Sequence, residues 1–155
     1  MYAQPPATKL YFHAAPIILG VGSTILPGNF WRIRSKFEAD WRKRYLEEVF
    51  ESVRASEFKA LPSRQSCVFM SETLHGAQEF AHETGRHMDV LYEVTLTDPE
   101  ARLHRTNYNL VNANLSPPDL VAQARLYWAC VPSERVEVLA PCPVKITRCI
   151  GPVLA

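Results

Sequence analysis

The chain has 155 residues, 47% hydrophobic and 21% charged, with a formal net charge of +1. That balance belongs to one globular domain with a core of its own, so residues 1–155 are read as a single domain and a disordered or membrane class is excluded. The near-zero charge selects no partner class, the longest apolar run is broken by Pro16, and residues 1–8 carry no charged side chain. No membrane span or secretory signal is therefore expected, and the expected address is cytoplasmic.

Lys9 to Pro16, reading Lys-Leu-Tyr-Phe-His-Ala-Ala-Pro, predicts a core strand that ends by presenting His13, because Leu10, Tyr11 and Phe12 suit a strand and Pro16 stops its pairing. At neutral pH a strand-end histidine can bond a ligand through either ring nitrogen; it can equally be satisfied by a backbone carbonyl. From Gly20 to Phe30 the chain reads as a glycine-rich loop. Glycines there let backbone approach a ligand closely, and they serve plain turns as well.

Ser35-Lys36-Phe37-Glu38 has the form of a capping box, and the ladder Phe37, Trp41, Tyr45, Val49, Val53 carries a helix from there to about Arg54. Arg42, Lys43, Arg44, Glu47, Glu48 and Glu51 are read as its charged face. Six basic residues between Trp31 and Arg44 against Glu38 and Asp40 could touch nucleic acid or phosphate, but the glutamates that follow favour a solvated face.

Leu61-Pro62-Ser63-Arg64 breaks the helix, and Cys67 to Met70 reads as a buried strand ending at Ser71. Ser71 is expected to cap a second helix with Leu74, Ala77, Phe80 and Ala81 inward until Gly85. Val90, Tyr92, Val94 and Leu96 alternate on one face of a further strand closed by Asp98-Pro99. Residues 102–115, rich in asparagine, are expected to be mostly loop. Ser116-Pro117-Pro118-Asp119 restarts helix with Leu120, Ala124, Tyr127 and Trp128 as packing residues, and residues 135–139 and 144–150 close the chain as two strands.

Cys67, Cys130, Cys142 and Cys149 form no Cys-x-x-Cys pair and are read as buried thiols. His82 and His87 are five residues apart, so on a helix they would point about 140° from each other, with Gly85 ending the helix between them. No metal site is expected there.

The order of elements is not the regular alternation of a doubly wound sheet and suits an α+β fold with split antiparallel sheets and flanking helices. Leu-Tyr-Phe-His-Ala, the loop from Gly20 to Gly28, Cys-Val-Phe-Met-Ser-Glu-Thr leading into a helix, and Val-Leu-Tyr-Glu-Val together resemble the rifampicin-type ADP-ribosyltransferases. Val-Glu-Val-Leu-Ala-Pro is similar to the acid-bearing strand of the nucleobase-modifying toxins of the same superfamily. The resemblance implies an ADP-ribosyltransferase-like fold and NAD as the molecule bound and cleaved. It leaves the acceptor open among protein, nucleic acid and small molecule.

Carried over by position, the resemblance makes His13 the residue that holds a ribose hydroxyl and orients the nicotinamide end. Phe69 falls where the family has tyrosine, keeping a ring face for the cationic nicotinamide without the hydroxyl, and Ala14 falls where relatives often carry glycine. Breaking the nicotinamide–ribose bond needs a carboxylate beside an oxocarbenium-like state. Glu137 matches the toxin pattern and shares a strand face with Leu139; an exposed edge face is the alternative, Glu134 and Glu93 are reserves, and Leu103 to Asn107 hold no carboxylate. Arg64 and the helix start after Ser71 are the candidates for the pyrophosphate. Two classes of function stand: a mono-ADP-ribosyltransferase, and a catalytically inactive binding module of the same fold, for which Phe69 is the sign.

Overall fold

The alternating run Val90–Leu96 becomes the strand against which the first sheet is registered in the computed structural model, which describes residues 3–4, 7–130 and 132–153. β1 (Tyr11–Ala15), β2 (Thr24–Ile25), β4 (Val90–Leu96) and β7 (Val144–Pro152) form one antiparallel sheet in the order β1-β4-β7-β2. β3 (Val68–Met70), β5 (His104–Asn107) and β6 (Val136–Ala140) form a second in the order β3-β6-β5. The helices are α1 (Asn29–Phe37), α2 (Trp41–Glu57), α3 (Leu74–Glu83) and α4 (Pro117–Trp128).

Period-two alternation decides the layers. Tyr92 and Val94 of β4 point into a core shared by both sheets, with Tyr11, Val68, Met70, Val138, Val144 and Ile146. Leu91 points the other way and is covered by Ala77 and Ala81 of α3. On the far side of the second sheet, Leu139 packs on Leu46 and Phe50 of α2 and on Leu120, Ala124, Tyr127 and Trp128 of α4. The stack is therefore α3, first sheet, second sheet, then α2 beside α4, an α+β fold with split antiparallel sheets and flanking helices. Among the described residues one backbone bridge stitches the sheets, where Phe12 and Ser71 exchange amide hydrogen bonds of 2.9 and 2.8 Å. No helix among the described residues is long and apolar enough to cross a membrane.

Several local expectations are corrected. The long helix is two helices: Ser35 lies inside α1, and Asp40 caps α2 by accepting from the Arg42 amide at 3.0 Å. The restart at Trp41 turns Phe37, Trp41 and Tyr45 outward, and the inward stripe is Leu46, Phe50 and Val53. A run of aromatics at helical spacing reads the same whether it faces core or solvent, which is why the ladder misled. Thr73, not Ser71, caps α3 through the Gly76 amide at 3.0 Å, since the Ser71 backbone is committed to the stitch between the sheets. Within residues 102–115 the chain forms β5, a strand of His-Arg-Thr-Asn with no apolar residue to reveal it. Cys67 and Cys142 are buried, whereas Cys130 and Cys149 are exposed, the first just past α4 and the second on β7.

The cap assignment has a direct consequence. Thr73→Ala should lower stability by about 1 kcal/mol in urea unfolding, while Ser71→Ala should leave the midpoint near wild type; the reverse ranking would restore Ser71 as the cap.

Candidate functional site

Beside the stitch lies a cleft of about 500 Å³, walled by β1, β3, α1 and residues 16–19. Two local devices shape it. Gly28 starts α1 at φ +89°, its amide donates to the Cys67 carbonyl at 3.1 Å, and a Cβ there would lie 3.2 Å from the Gln65 carbonyl oxygen. Only glycine combines that left-handed backbone with so close an approach, so the residue seats α1 against the chain entering β3. Opposite, the fully buried Tyr92 hydroxyl accepts from the Leu19 amide at 2.7 Å and donates to the Ile17 carbonyl at 2.9 Å, pinning the loop that follows β1.

Five of the six residues singled out from the sequence line this cleft: His13, Ala14, Phe69, Ser71 and Glu137. The His13 ring is half-buried and bonds the Phe69 carbonyl through Nδ1 at 2.7 Å. A carbonyl only accepts, so Nδ1 carries the proton and Nε2 is left as an acceptor. Burial lowers the pKa of His13 from its ordinary value, against the raising influence of the Phe69 carbonyl, and the ring is neutral at pH 7.

Glu137 is not on an exposed edge. β6 is the central strand of its sheet, and Glu137 is 4% exposed. Its Oε1 accepts from Arg64 Nη1 at 2.7 Å and from the Tyr127 hydroxyl at 2.5 Å. Its Oε2 takes no hydrogen bond among the described residues, and Glu137 lines the cleft. One carboxylate oxygen is anchored and the other is available.

The structure places Arg64 elsewhere than at a pyrophosphate. The guanidinium is buried, with Nε and Nη2 each 2.8 Å from the Glu47 carboxylate and Nη1 donating to Tyr127 and Glu137 at 2.7 Å. Its plane lies over the rings of Phe69 and Tyr127, 4.8 and 5.2 Å from their centroids. Burial alone would lower its pKa, but the facing Glu47 and Glu137 carboxylates raise it well above the ordinary value. Arg64 is an internal counter-ion, and it also covers one face of Phe69, whose ring meets Phe30 edge-on at 5.0 Å. Of the reserve acids, Glu134 is exposed, and Glu93 is held by Thr147 and Arg148 at 2.8 and 3.1 Å on the first sheet.

By sequence Glu47 is a solvated charge and Tyr127 a packing ring; in the fold both belong to this network. The signal for Glu47 was present: on a helix whose inward stripe is Leu46, Phe50 and Val53, position 47 lies beside that stripe and three residues from Phe50. Tyr127 is placed by its neighbours, since Trp128 Nε1 donates to the Phe50 carbonyl at 2.8 Å and the Thr106 hydroxyl donates to the Tyr127 carbonyl at 2.6 Å. Among the described residues, no cluster of three His, Cys, Asp or Glu side chains could hold a metal ion.

Arg64→Ala should destabilise the fold by about 3–5 kcal/mol, because two carboxylates would be left buried without their cation. Arg64→Lys should recover only part of this, an ammonium being unable to reproduce the fork. Equal unfolding midpoints for wild type and Arg64→Ala would remove the network from the centre of the fold.

A pH dependence follows from the buried His104. Burial lowers His104 to about 4, and its ring lies between the Tyr127 carbonyl and Cys130 Sγ. With a folded pKa below the unfolded one near 6.5, the unfolded chain binds the proton first. The contribution of the neutral ring is therefore complete above pH 6.5 and is lost as pH falls towards 4, on the order of 3 kcal/mol. Urea unfolding at pH 7.5 and 4.5 should show that loss in wild type and a smaller one in His104→Gln; an identical loss in both would assign it to other groups.

The model of a family described as "Protein of unknown function (DUF2441)" matches residues 28–151. The match takes in Arg64, Phe69, Ser71 and Glu137 and begins after His13 and Ala14. No curated protein matches the chain.

Proposed function

We propose that the chain, which belongs to the DUF2441 family, is a mono-ADP-ribosyltransferase that takes NAD as its substrate. The observation that carries the reading is the convergence of His13 from β1, Phe69 from β3 and Glu137 from β6 on one cleft at the seam of two antiparallel sheets. These are the positions at which the motifs resemble the histidine, aromatic and acid of that superfamily, and they lie up to 124 residues apart in the chain.

Each group has a matching capability. Neutral His13 offers Nε2 as an acceptor for a ribose hydroxyl. The part of the Phe69 ring that Arg64 leaves uncovered gives the nicotinamide an aromatic surface. Glu137 presents a carboxylate whose position is fixed before substrate arrives, the condition under which a charge stabilises a transition state without reorganising. In the reaction the bond between nicotinamide and the ribose anomeric carbon breaks, its electron pair leaves with nicotinamide, and an acceptor nucleophile adds to that carbon and gives up its proton. A cytoplasmic address, where thiols such as the exposed Cys130 and Cys149 stay reduced, accompanies this reading.

The second reading is a module that binds in the cleft without turnover. Phe69 favours it, because the ring has no hydroxyl, and so does the pairing of Glu137 with Arg64, which would hold a purely structural carboxylate as well.

The deciding measurement is nicotinamide release from NAD by wild type, Glu137→Gln, Glu134→Gln and Glu93→Gln, each shown to be folded by circular dichroism. Glu137→Gln keeps an acceptor for Arg64 and Tyr127 but removes the charge. Turnover should fall about a hundredfold or more while NAD binding changes little. Activity lost in Glu93→Gln or Glu134→Gln but kept in Glu137→Gln would move the acid. A wild type that binds NAD and releases no nicotinamide, even with cell lysate as acceptor, would establish the module.

A further inference from the structure

The cleft carries two cations that the reading above does not use. Arg34 on α1 and Arg86 in the turn after α3 both line it. Arg34 is the more telling. Its side chain is only 23% exposed, and it makes no side-chain hydrogen bond among the described residues; its nearest carboxylate oxygen, on Glu38, is 3.7 Å away. The guanidinium lies over the Phe30 ring at 4.6 Å, which covers its face and leaves its N–H edge with only the long ion pair to Glu38, another residue of the cleft. Arg34 belongs to the lining of the cleft, where this edge can meet a ligand. Arg64 shows the contrast, a guanidinium with bonds from all three of its nitrogens to other groups of the fold.

Arg86 is similarly unfinished. Among the described residues its one side-chain bond, an ion pair to Asp89, is 3.4 Å long, and its guanidinium sits over Phe80 at 5.6 Å. Burial lowers the pKa of Arg34 from its ordinary value; the Glu47 and Glu38 carboxylates oppose this, and the charges of Arg64 and Arg86 add to it. Both guanidiniums line one cleft and rest on aromatic rings, and among the described residues each has a single long ion pair, to Glu38 at 3.7 Å and to Asp89 at 3.4 Å, so an anion bound in the cleft gains from both charges. Paired guanidinium edges match the oxygens of phosphate, to which they donate two bonds at a time.

We propose that Arg34, together with Arg86, forms the anion subsite of the cleft and holds the diphosphate of its ligand, the role the sequence had suggested for Arg64. The name of the ligand rests on the NAD reading; the anion subsite rests on the two side chains. The diphosphate then lies on the α1 side of the cleft, and the ligand's ends run along β1 and β3.

Calorimetric titration tests this with NAD, ADP-ribose, inorganic pyrophosphate and nicotinamide riboside, which lacks the diphosphate. The proteins are wild type, Arg34→Gln, Arg34→Lys, Arg86→Gln, the double glutamine variant and Arg42→Gln as a control outside the cleft. ADP-ribose and pyrophosphate should bind about tenfold or more weakly to either single glutamine variant, and more weakly still to the double variant. Arg34→Lys should fall between, and nicotinamide riboside should bind all proteins alike. Binding to wild type should also weaken with added salt, and less so in the variants. ADP-ribose affinity unchanged in the double variant would overturn the subsite while leaving the NAD reading in place. Pyrophosphate binding that depends on Arg34, in a protein that neither binds nor cleaves NAD, would uphold the subsite and remove that reading. A wild type that binds neither ADP-ribose nor pyrophosphate would overturn the subsite.

Discussion

The buried Arg64 guanidinium is the constraint to which the second sheet and its helices answer. It joins Glu47 of α2, Tyr127 of α4 and Glu137 of β6 by hydrogen bonds of 2.7–2.8 Å, four segments drawn from residues 47 to 137. Taking such charges out of water costs several kcal/mol per ion, and the cost is offset only when geometry and hydrogen bonding are complete. Here they are: Nε and Nη2 grip Glu47 as a fork, Nη1 divides between Tyr127 and Glu137, and aromatic rings cover the plane. An incomplete version would leave a carboxylate or a cation stranded, so these segments pack together or hardly at all. Burial, followed by the nearness of Glu137, raises the Tyr127 hydroxyl well above its usual pKa, which keeps it a donor at any physiological pH.

That constraint reaches the cleft through Glu137. Two donors on Oε1 fix the position of the carboxylate, and among the described residues Oε2 is left without a donor on a side chain that lines the cleft. A carboxylate on an exposed strand would have to be ordered by the ligand, at the cost of its own side-chain entropy. In this fold the ordering is completed during folding, by groups on the side of the second sheet away from the first. The same arrangement limits Phe69, since one face of the ring is occupied by the cation that holds Glu137.

Much of the frame was legible in the sequence because it rests on periodicity. Val90 to Leu96 alternates, α4 shows its proline start and its packing residues, and the last two strands place apolar residues at alternate positions, Val136, Val138 and Ala140 in one and Val144 and Ile146 in the other. The elements that escaped are those for which periodicity says nothing: β5 has no apolar residue, and α1 and α2 share a continuous aromatic pattern across the break at Asp40. For the site, the residues that local motif could mark, His13, Phe69 and Glu137, do line one cleft. What could not be read was partnership. Glu47 looks like any other helix glutamate until Arg64, seventeen positions on, is seen to bury it.

The arginines make the point most sharply, because sequence chemistry treats Arg34 and Arg64 as equivalent. Both lie near an aromatic-rich segment, and Arg64, directly ahead of a cleft strand, had the better claim to a ligand anion. What separates them is how much of each guanidinium the protein already satisfies. Arg64 has bonds from every nitrogen and two acids beside it, so a phosphate could be held only by breaking a buried pair, a loss no single ligand contact repays. Arg34 has its face on Phe30, a single long ion pair to Glu38 at 3.7 Å and no side-chain hydrogen bond among the described residues. The cation that stabilises the fold and the cation free to bind are thus distinguished by unmet hydrogen-bonding capacity, a property of the folded neighbourhood that no local motif encodes.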